Sequence, residues 1–445
     1  MPKFKFLLPG CLLIFCTLSC EKINFPDPTP FNKVYGGSGA DAANGIVRAS
    51  DGGYLIAGST PSNDQDVSGN HGLSDFWVLK VDRNGIKQWQ KALGGSAGDV
   101  ASSVVTSSDG GYVIAGYTQS NDGDVTGLHG IKSSDYDVWV VKVDKTGKLL
   151  WQKALGGLRI DNALSIVNSP DGGYVIAGYT QSADGDVTKF QGEADAWIIK
   201  INDAGTKLWE KTYGGSRADY AYAITAIPSG GYLVAGQTTS NNGDVTGNHG
   251  NVDAWLLAID GSGNKLWQKA YGGSGNDYAR SVCISRDGGY AIAGVTTSND
   301  GDVSGFHGGF DDAWVFKTDR NGNMLWQKTL GGSDGETAAS ITTASYSGYA
   351  IAGTTNSKNG DVTFNHGDQD AWLVLLDEKG NLVNQKTIGG STTDAATSII
   401  AIKDNPFAMQ GNYFSVAGYT DSKNGDVSGL HGSVDAWIFT IQLDE

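Results

Sequence analysis

The sequence predicts an all-β chain: seven repeats of four short strands, closed into a ring. Three observations predict it. The stretch "DGGYVIAGYT" at 109–118 has six relatives along the chain, from "DGGYLIAGST" at 51–60 to "NYFSVAGYT" at 412–420. They follow one another at a spacing of about 58 residues, a period that signals a repeat architecture. Each repeat also carries a tryptophan strand of the type "DVWVVKVD" at 137–144. Finally, the two ends of the chain are complementary: the start has one strand to spare and the end lacks one.

One repeat reads as four strands. In the second repeat, strand A is expected over 101–107, strand B over 112–118, strand C over 137–144 and strand D over 148–155. Val, Ile, Trp and Tyr fill these segments, and no helical period runs through them. The turn Asp144-Lys145-Thr146-Gly147 places glycine fourth, which suits a type I turn ending in a left-handed residue. Seven of the twelve tryptophans fall on strand C: Trp77, Trp139, Trp197, Trp255, Trp314, Trp372 and Trp437. The other five fall on strand D: Trp89, Trp151, Trp209, Trp267 and Trp326. Asn384 takes the sixth strand-D place.

The seventh strand D is found at the opposite end of the chain. "FNKVYGGS" at 31–38 aligns with "WQKALGGS" at 89–96, with Phe31 in the tryptophan place, and the chain stops at "FTIQLDE" as the last strand C finishes. Residues 31–35, from Phe31 to Tyr35, are therefore expected to complete the last blade and latch the ring. Four-stranded units repeated around a ring describe a seven-bladed β-propeller, and the latch removes its one open edge.

Ahead of this ring, 1–20 has a basic start and an apolar run too short to span a bilayer, so it reads as a secretory signal. Ser19-Cys20 resembles the end of a bacterial lipobox, which makes Cys20 the expected lipid-bearing residue. Residues 21–30 hold Pro26, Pro28 and Pro30 and read as a stiff tether. Residues 31–445 form the propeller. Cys283 stands alone there, so no internal disulfide forms, and "SVCIS" matches "SVVTS" of another repeat, a buried small hydrophobe. A formal charge of −16 argues against nucleic acid as a partner, which needs clustered Lys and Arg.

The pattern "GGS…DGGYxIAGxT…DGDVxGxHG…DAW" resembles the secreted or lipid-anchored β-propeller repeat proteins of gram-negative bacteria, over 31–445. The resemblance implies an outer-membrane or cell-surface location, with membrane contact only through the lipid. It brings no activity and no site residues.

Antiparallel order puts the A–B and C–D turns on one face and the B–C and D–A loops on the other. The polar cassette "SNDGDVTGLHG" at 120–130 is a B–C loop. The D–A loop of every repeat ends in an acid: Asp41, Asp99, Asp161, Asp219, Asp277, Glu336 and Asp394. Seven acids at a channel mouth would bind a cation or a polyhydroxylated ligand, or each would accept hydrogen bonds from its own tight turn. The cassette supplies paired acids at Asp64 and Asp66, Asp122 and Asp124, Asp184 and Asp186, and Asp300 and Asp302. These are oxygen donors of the kind calcium takes, without the order of an EF-hand. All six histidines hold one cassette position (His71, His129, His249, His307, His366, His431), with Gln191 in the third repeat. One imidazole per blade around a wide ring does not converge as zinc requires, so these brace the loop.

No catalytic residue is assigned. "GGSAG" at 94–98 and "GGSDG" at 331–335 match a nucleophile elbow only in letters, because their context is strand–turn–strand. Departures from the repeat point to an asymmetric rim at Lys132, Arg159, Lys189 and Phe190. The expected function is a non-enzymatic, monomeric envelope lipoprotein that binds a protein or glycan with its loop face. A calcium-stabilised scaffold and a glycan-active hydrolase or lyase with acids at the channel mouth are the alternatives.

Overall fold

The computed structural model describes residues 30–130, 132, 134–344, 348–402 and 412–443. The signal, Cys20, the first two tether prolines and most of the insertion at 403–414 lie outside the described residues.

Among the described residues twenty-eight strands form seven four-stranded antiparallel sheets: a seven-bladed β-propeller. In blade 2 the strands are Asp99–Thr106, Tyr112–Thr118, Asp137–Val143 and Leu149–Leu155, paired in chain order. Strand A starts two residues earlier than the sequence suggests, because the acid itself pairs with the threonine that ends strand B (Asp99 with Thr118). The A strands of neighbouring blades touch around the whole ring, including Asp394–Ala401 against Ala42–Arg48. They are therefore innermost and line the central channel.

The latch forms as expected. Asn32–Tyr35 is the fourth strand of blade 7, antiparallel to Asp435–Leu443. The Phe31 N–H donates to Thr440 Oγ1 and the Thr440 N–H donates to the Phe31 carbonyl, both at 2.9 Å. Side chains confirm the register. The seven strand-C tryptophans are all buried. In blades 1, 2, 4, 5 and 6 the indole N–H donates to a strand-D glutamine, as Trp139 does to Gln152 Oε1 at 2.8 Å. In blade 3 the acceptor is Glu210, and in blade 7 it is Asn32 at 2.5 Å. Asn32 thus holds the glutamine place of "WQKAL", as the alignment requires. Phe31 takes the tryptophan role. Its ring lies on Gly85 as the ring of Trp89 lies on Gly147, and a Cβ there would stand 2.5 Å and 2.8 Å from those rings. Both glycines have positive φ, so the turn needs glycine for backbone and for space.

The core lies between blades. Each apolar cluster joins two neighbours, such as Ile114 and Trp139 of blade 2 with Leu55 and Val78 of blade 1. Each fully buried aliphatic side chain of this kind contributes about 1.5–3 kcal/mol. No blade covers both its faces alone, so the ring is the unit of stability.

Candidate functional site

The cassette turns out to be a fastening across blade seams. Each acid at the start of strand A is fully buried. Asp99 accepts the Gly95 N–H at 2.9 Å, the Ser120 hydroxyl at 2.9 Å and the Thr118 hydroxyl. Asp41, Asp219, Asp277 and Asp394 repeat this set, Glu336 accepts from Gly332, Thr355 and Ser357, and Asp161 accepts from Gly157 and Ser182. Of the two readings of these acids, the tight-turn acceptor is the one found: the Gly-Gly turn folds over each carboxylate and uses it as an internal acceptor.

A second buried acid begins each strand C. Asp75 Oδ2 accepts the His71 backbone N–H at 3.1 Å and His71 Nδ1–H at 2.6 Å. The other five histidines make the same pair of bonds to Asp137, Asp253, Asp312, Asp370 and Asp435. The far nitrogen reaches the next blade: His307 Nε2 lies 3.6 Å from Asp361 and His366 Nε2 lies 3.6 Å from Asp426. Gln191 keeps the backbone bond to Asp195 at 2.8 Å and reaches the next blade by Nε2 to Asp244 at 3.4 Å, without a side-chain bond to Asp195. The imidazole braces its own loop in six blades, and in His307 and His366 it also reaches across the seam.

Between the two acids sits the first glycine of the Gly-Gly turn. A Cβ on Gly94 would lie 2.5 Å from Asp99 Oδ2 and 2.8 Å from Asp75 Oδ1. Asp75 Oδ1 is buried and has no hydrogen-bond partner, as are its counterparts in Asp137, Asp195, Asp312, Asp370 and Asp435. Only a Cα–H fits between such oxygens, a weak donor suited to a crowded seam. Burial pushes up Asp99, Asp161, Asp219, Asp277 and Asp394 at the start of strand A, and Asp75, Asp137, Asp195, Asp312 and Asp435 at the start of strand C. Asp161 and Asp195 reach about 6, and the Asp75 shift is partly offset by its bonds to His71. His71 is in turn raised, chiefly by its hydrogen bond to Asp75.

The eight candidate calcium residues have other partners. Asp64, Asp122, Asp184 and Asp300 each accept a backbone N–H from the preceding D–A turn, as Asp122 does from Ser96 at 2.7 Å. Asn242, Asn359 and Asn424 make the same bond, so the place asks for an acceptor and not for a charge. Asp66 and Asp186 pair with Lys87 and Lys207, and Asp124 and Asp302 accept from Gly94 and Gly272. Among the described residues no three acidic, His or Cys side chains converge as a metal site.

Nor do the four rim residues meet. Lys132, Arg159 and Lys189 are exposed and Phe190 is half-buried. Among the described residues no hydrogen bond or ion pair links any two of these side chains, and the hydrogen bonds of Lys132, Arg159 and Lys189 are made by their main chains, as by Arg159 N–H to Ser182 Oγ at 3.1 Å.

The asymmetric site lies at the channel itself. Every strand A carries a β-bulge at one position, where the register skips a residue. The skipped residues are Asn44, Ser102, Leu164, Tyr222, Arg280, Ala339 and Thr397. Each follows a fully buried alanine yet is itself partly or wholly exposed. A bulge re-aims a side chain, and of these seven Leu164, Tyr222, Arg280 and Ala339 line one cavity, while Asn44 and Thr397 bond backbone carbonyls of a neighbouring blade. Arg280 is the one charged residue among them.

Around Arg280 the repeat breaks into tyrosine. Its guanidinium sits 4.6 Å from the Tyr222 ring centre and 5.2 Å from that of Tyr278. Tyr222 stacks on Tyr220 at 6.2 Å, Tyr220 meets Tyr179 edge-on at 4.6 Å, and the Tyr179 hydroxyl is 2.9 Å from that of Tyr136. Tyr117 packs on Tyr136 at 4.6 Å. These half-buried rings form an arc from blade 2 to blade 5 at the loop-face end of the channel. A cavity of about 520 Å³ opens beside it, lined by Tyr222, Tyr278, Arg280, Asp311 and Thr337 among others. Burial raises the Asp311 carboxyl, Glu336 and Asp312 add to that, and Arg280 draws it back. The signal for this site was present in the sequence: one place in strand A differs in every repeat while the alanine before it never changes. Of the loop departures, the insertion at 131–136 contributes through Tyr136 rather than Lys132.

No family model matches the chain. It is 27% identical to the regulatory protein FlaEY of Caulobacter vibrioides over 221 residues, 45% of this chain and 22% of that protein. The match therefore spans about a fifth of that relative's length. Among solved structures it is similar to Sqt1 from Chaetomium thermophilum, with a TM-score of 0.48 at 12% identity over 93% of this chain and 100% of that one. It is also similar to the alpha-L-arabinofuranosidase Arb93A from Fusarium graminearum, with a TM-score of 0.42 at 10% identity over 93% and 98%. At these values neither bears on function, and the fold is read from the chain's own strand pairing.

Proposed function

We propose that this protein is an exported, lipid-anchored envelope propeller that binds a protein or glycan at the loop-face end of its channel, without chemistry of its own. One observation carries the reading: a ring built from seven near-identical units departs from repetition at the strand-A bulges, where Leu164, Tyr222, Arg280 and Ala339 line one cavity. Symmetry that is kept by the fastenings and broken at one cavity is what a binding site on a repeat scaffold requires. The segment ending at Ser19-Cys20 and the proline tether support the anchor, and the repeat pattern supports kinship with exported bacterial propellers.

The test is an array of envelope glycans and surface proteins, probed with the wild type and with Tyr222→Ala and Lys189→Ala. Binding lost only in Tyr222→Ala supports the channel site. Binding lost only in Lys189→Ala would move the site to the outer rim, and equal profiles would reject both places. Membrane partition of Cys20→Ser tests the anchor: an unchanged membrane fraction would overturn it.

A further inference from the structure

We infer that the channel site takes a carboxylate-bearing glycan, a chain of uronate-type sugars, with Arg280 as the residue that grips the carboxylate. The inference rests on the binding reading above and adds the ligand class. Arg280 is exposed and makes no hydrogen bond or ion pair among the described residues; its contacts are the faces of Tyr222 and Tyr278. Those rings hold the guanidinium in place by its π face and leave its N–H fork open. An open fork matches a carboxylate in bidentate fashion, which a lysine could not do.

The other six bulge residues are uncharged, so an incoming anion meets one cation in that ring, in a chain of net charge −16. Asp311 lines the same cavity but forms no ion pair with Arg280 among the described residues. Its carboxylate accepts hydroxyl donors, of which a sugar ring offers several in a row. The tyrosines supply flat apolar surface for sugar C–H faces and hydroxyls at their edges. An arc of five rings running from Tyr117 to Tyr222 suits several sugar units in sequence rather than one small acid. Fork, acceptor and stacking surface together fit an acidic polysaccharide better than an acidic peptide, whose flexible side chains do not present flat faces.

The experiment uses the full mature chain and a panel of oligogalacturonates, oligoglucuronates and oligomannuronates. Each is offered as the free acid and as its methyl ester, and binding is followed by calorimetry. The free acid of at least one member binds, its methyl ester binds about tenfold to a hundredfold more weakly, and Arg280→Gln removes that difference. Arg280 is exposed, so the variant should fold, and an unchanged melting curve checks this. Acid and ester binding alike would overturn the anionic class while leaving a glycan-binding channel intact. No member binding, while the array above finds a channel-bound protein through Tyr222, would overturn the glycan class.

Discussion

Removal of residues 31–35 tests the ring closure most directly. The deletion strips the fourth strand from blade 7, with the buried side chains of Phe31, Val34 and Tyr35. Truncating such residues costs about 4 kcal/mol each for the two aromatics and about 2 for the valine, roughly 10 kcal/mol in total. Freeing five residues from a fixed backbone returns about 5 kcal/mol, which leaves about 5. The Trp437 indole also loses its acceptor, Asn32. A chain of this size unfolds with an entropy of roughly 0.9 kcal/mol per kelvin, so the melting temperature should fall by about 6 °C. Thermal unfolding followed by circular dichroism measures it. A peptide of residues 30–36 added in trans should recover part of the loss, because it can pair with the bared strand C. A melt within about 1 °C of the wild type would refute the latch as a stabilising element.

Other outcomes follow from the seams. His249→Gln and His249→Leu each take the ring donor from buried Asp253, a bond the Gln191 side chain does not make to Asp195, and each should cost about 1–3 kcal/mol in chemical denaturation. Gly94→Ala drives a methyl group between Asp99 and Asp75 and should destabilise by about 1–3 kcal/mol or more, although Gly94 lies in a loop between strands. Stability should rise as pH falls from 7.5 toward 5. Asp161 and Asp195 have folded values near 6, above the ordinary 3.8, and His71 is raised too. All three contribute stability present at low pH and lost as pH climbs through the folded value. Below about pH 4 the trend should reverse, because Asp109, held at about 2 by Lys142, loses its pairing as it is protonated. Melting curves from pH 3 to 8 check both limbs, and Asp195→Asn should flatten the upper one. Chelation should leave the melting temperature within about 1 °C, since the cassette oxygens already have N–H or lysine partners; a larger drop would restore the calcium scaffold.

The repeat made much of this legible in advance. A period of about 58 residues, a tryptophan per strand C and matching ends were enough to count blades and to place Phe31 and Asn32 in a strand that pairs across the full length of the chain. The role of the histidines was legible for a related reason: Gln191 showed that the place tolerates loss of the imidazole. The acids admitted two readings, turn acceptor and channel-mouth ligand, because composition reports that a carboxylate is present and not which way it faces. Asp99 looks like a channel-mouth ligand in one dimension, but in three it is roofed by Gly95 and Ser120.

By itself, the sequence determined the fold, the number of blades, the closing strand and the face on which the long loops gather. These depend on local strand patterns and on repetition, both of which are written along the chain. Only the tertiary structure decided where the asymmetric site is. Tyr136, Tyr179, Tyr222 and Arg280 are far apart in sequence, and the bulge that turns Tyr222 and Arg280 inward is a mismatch of register between two strands. A one-residue offset in pairing changes which way a side chain points, and pairing exists only once the ring has closed.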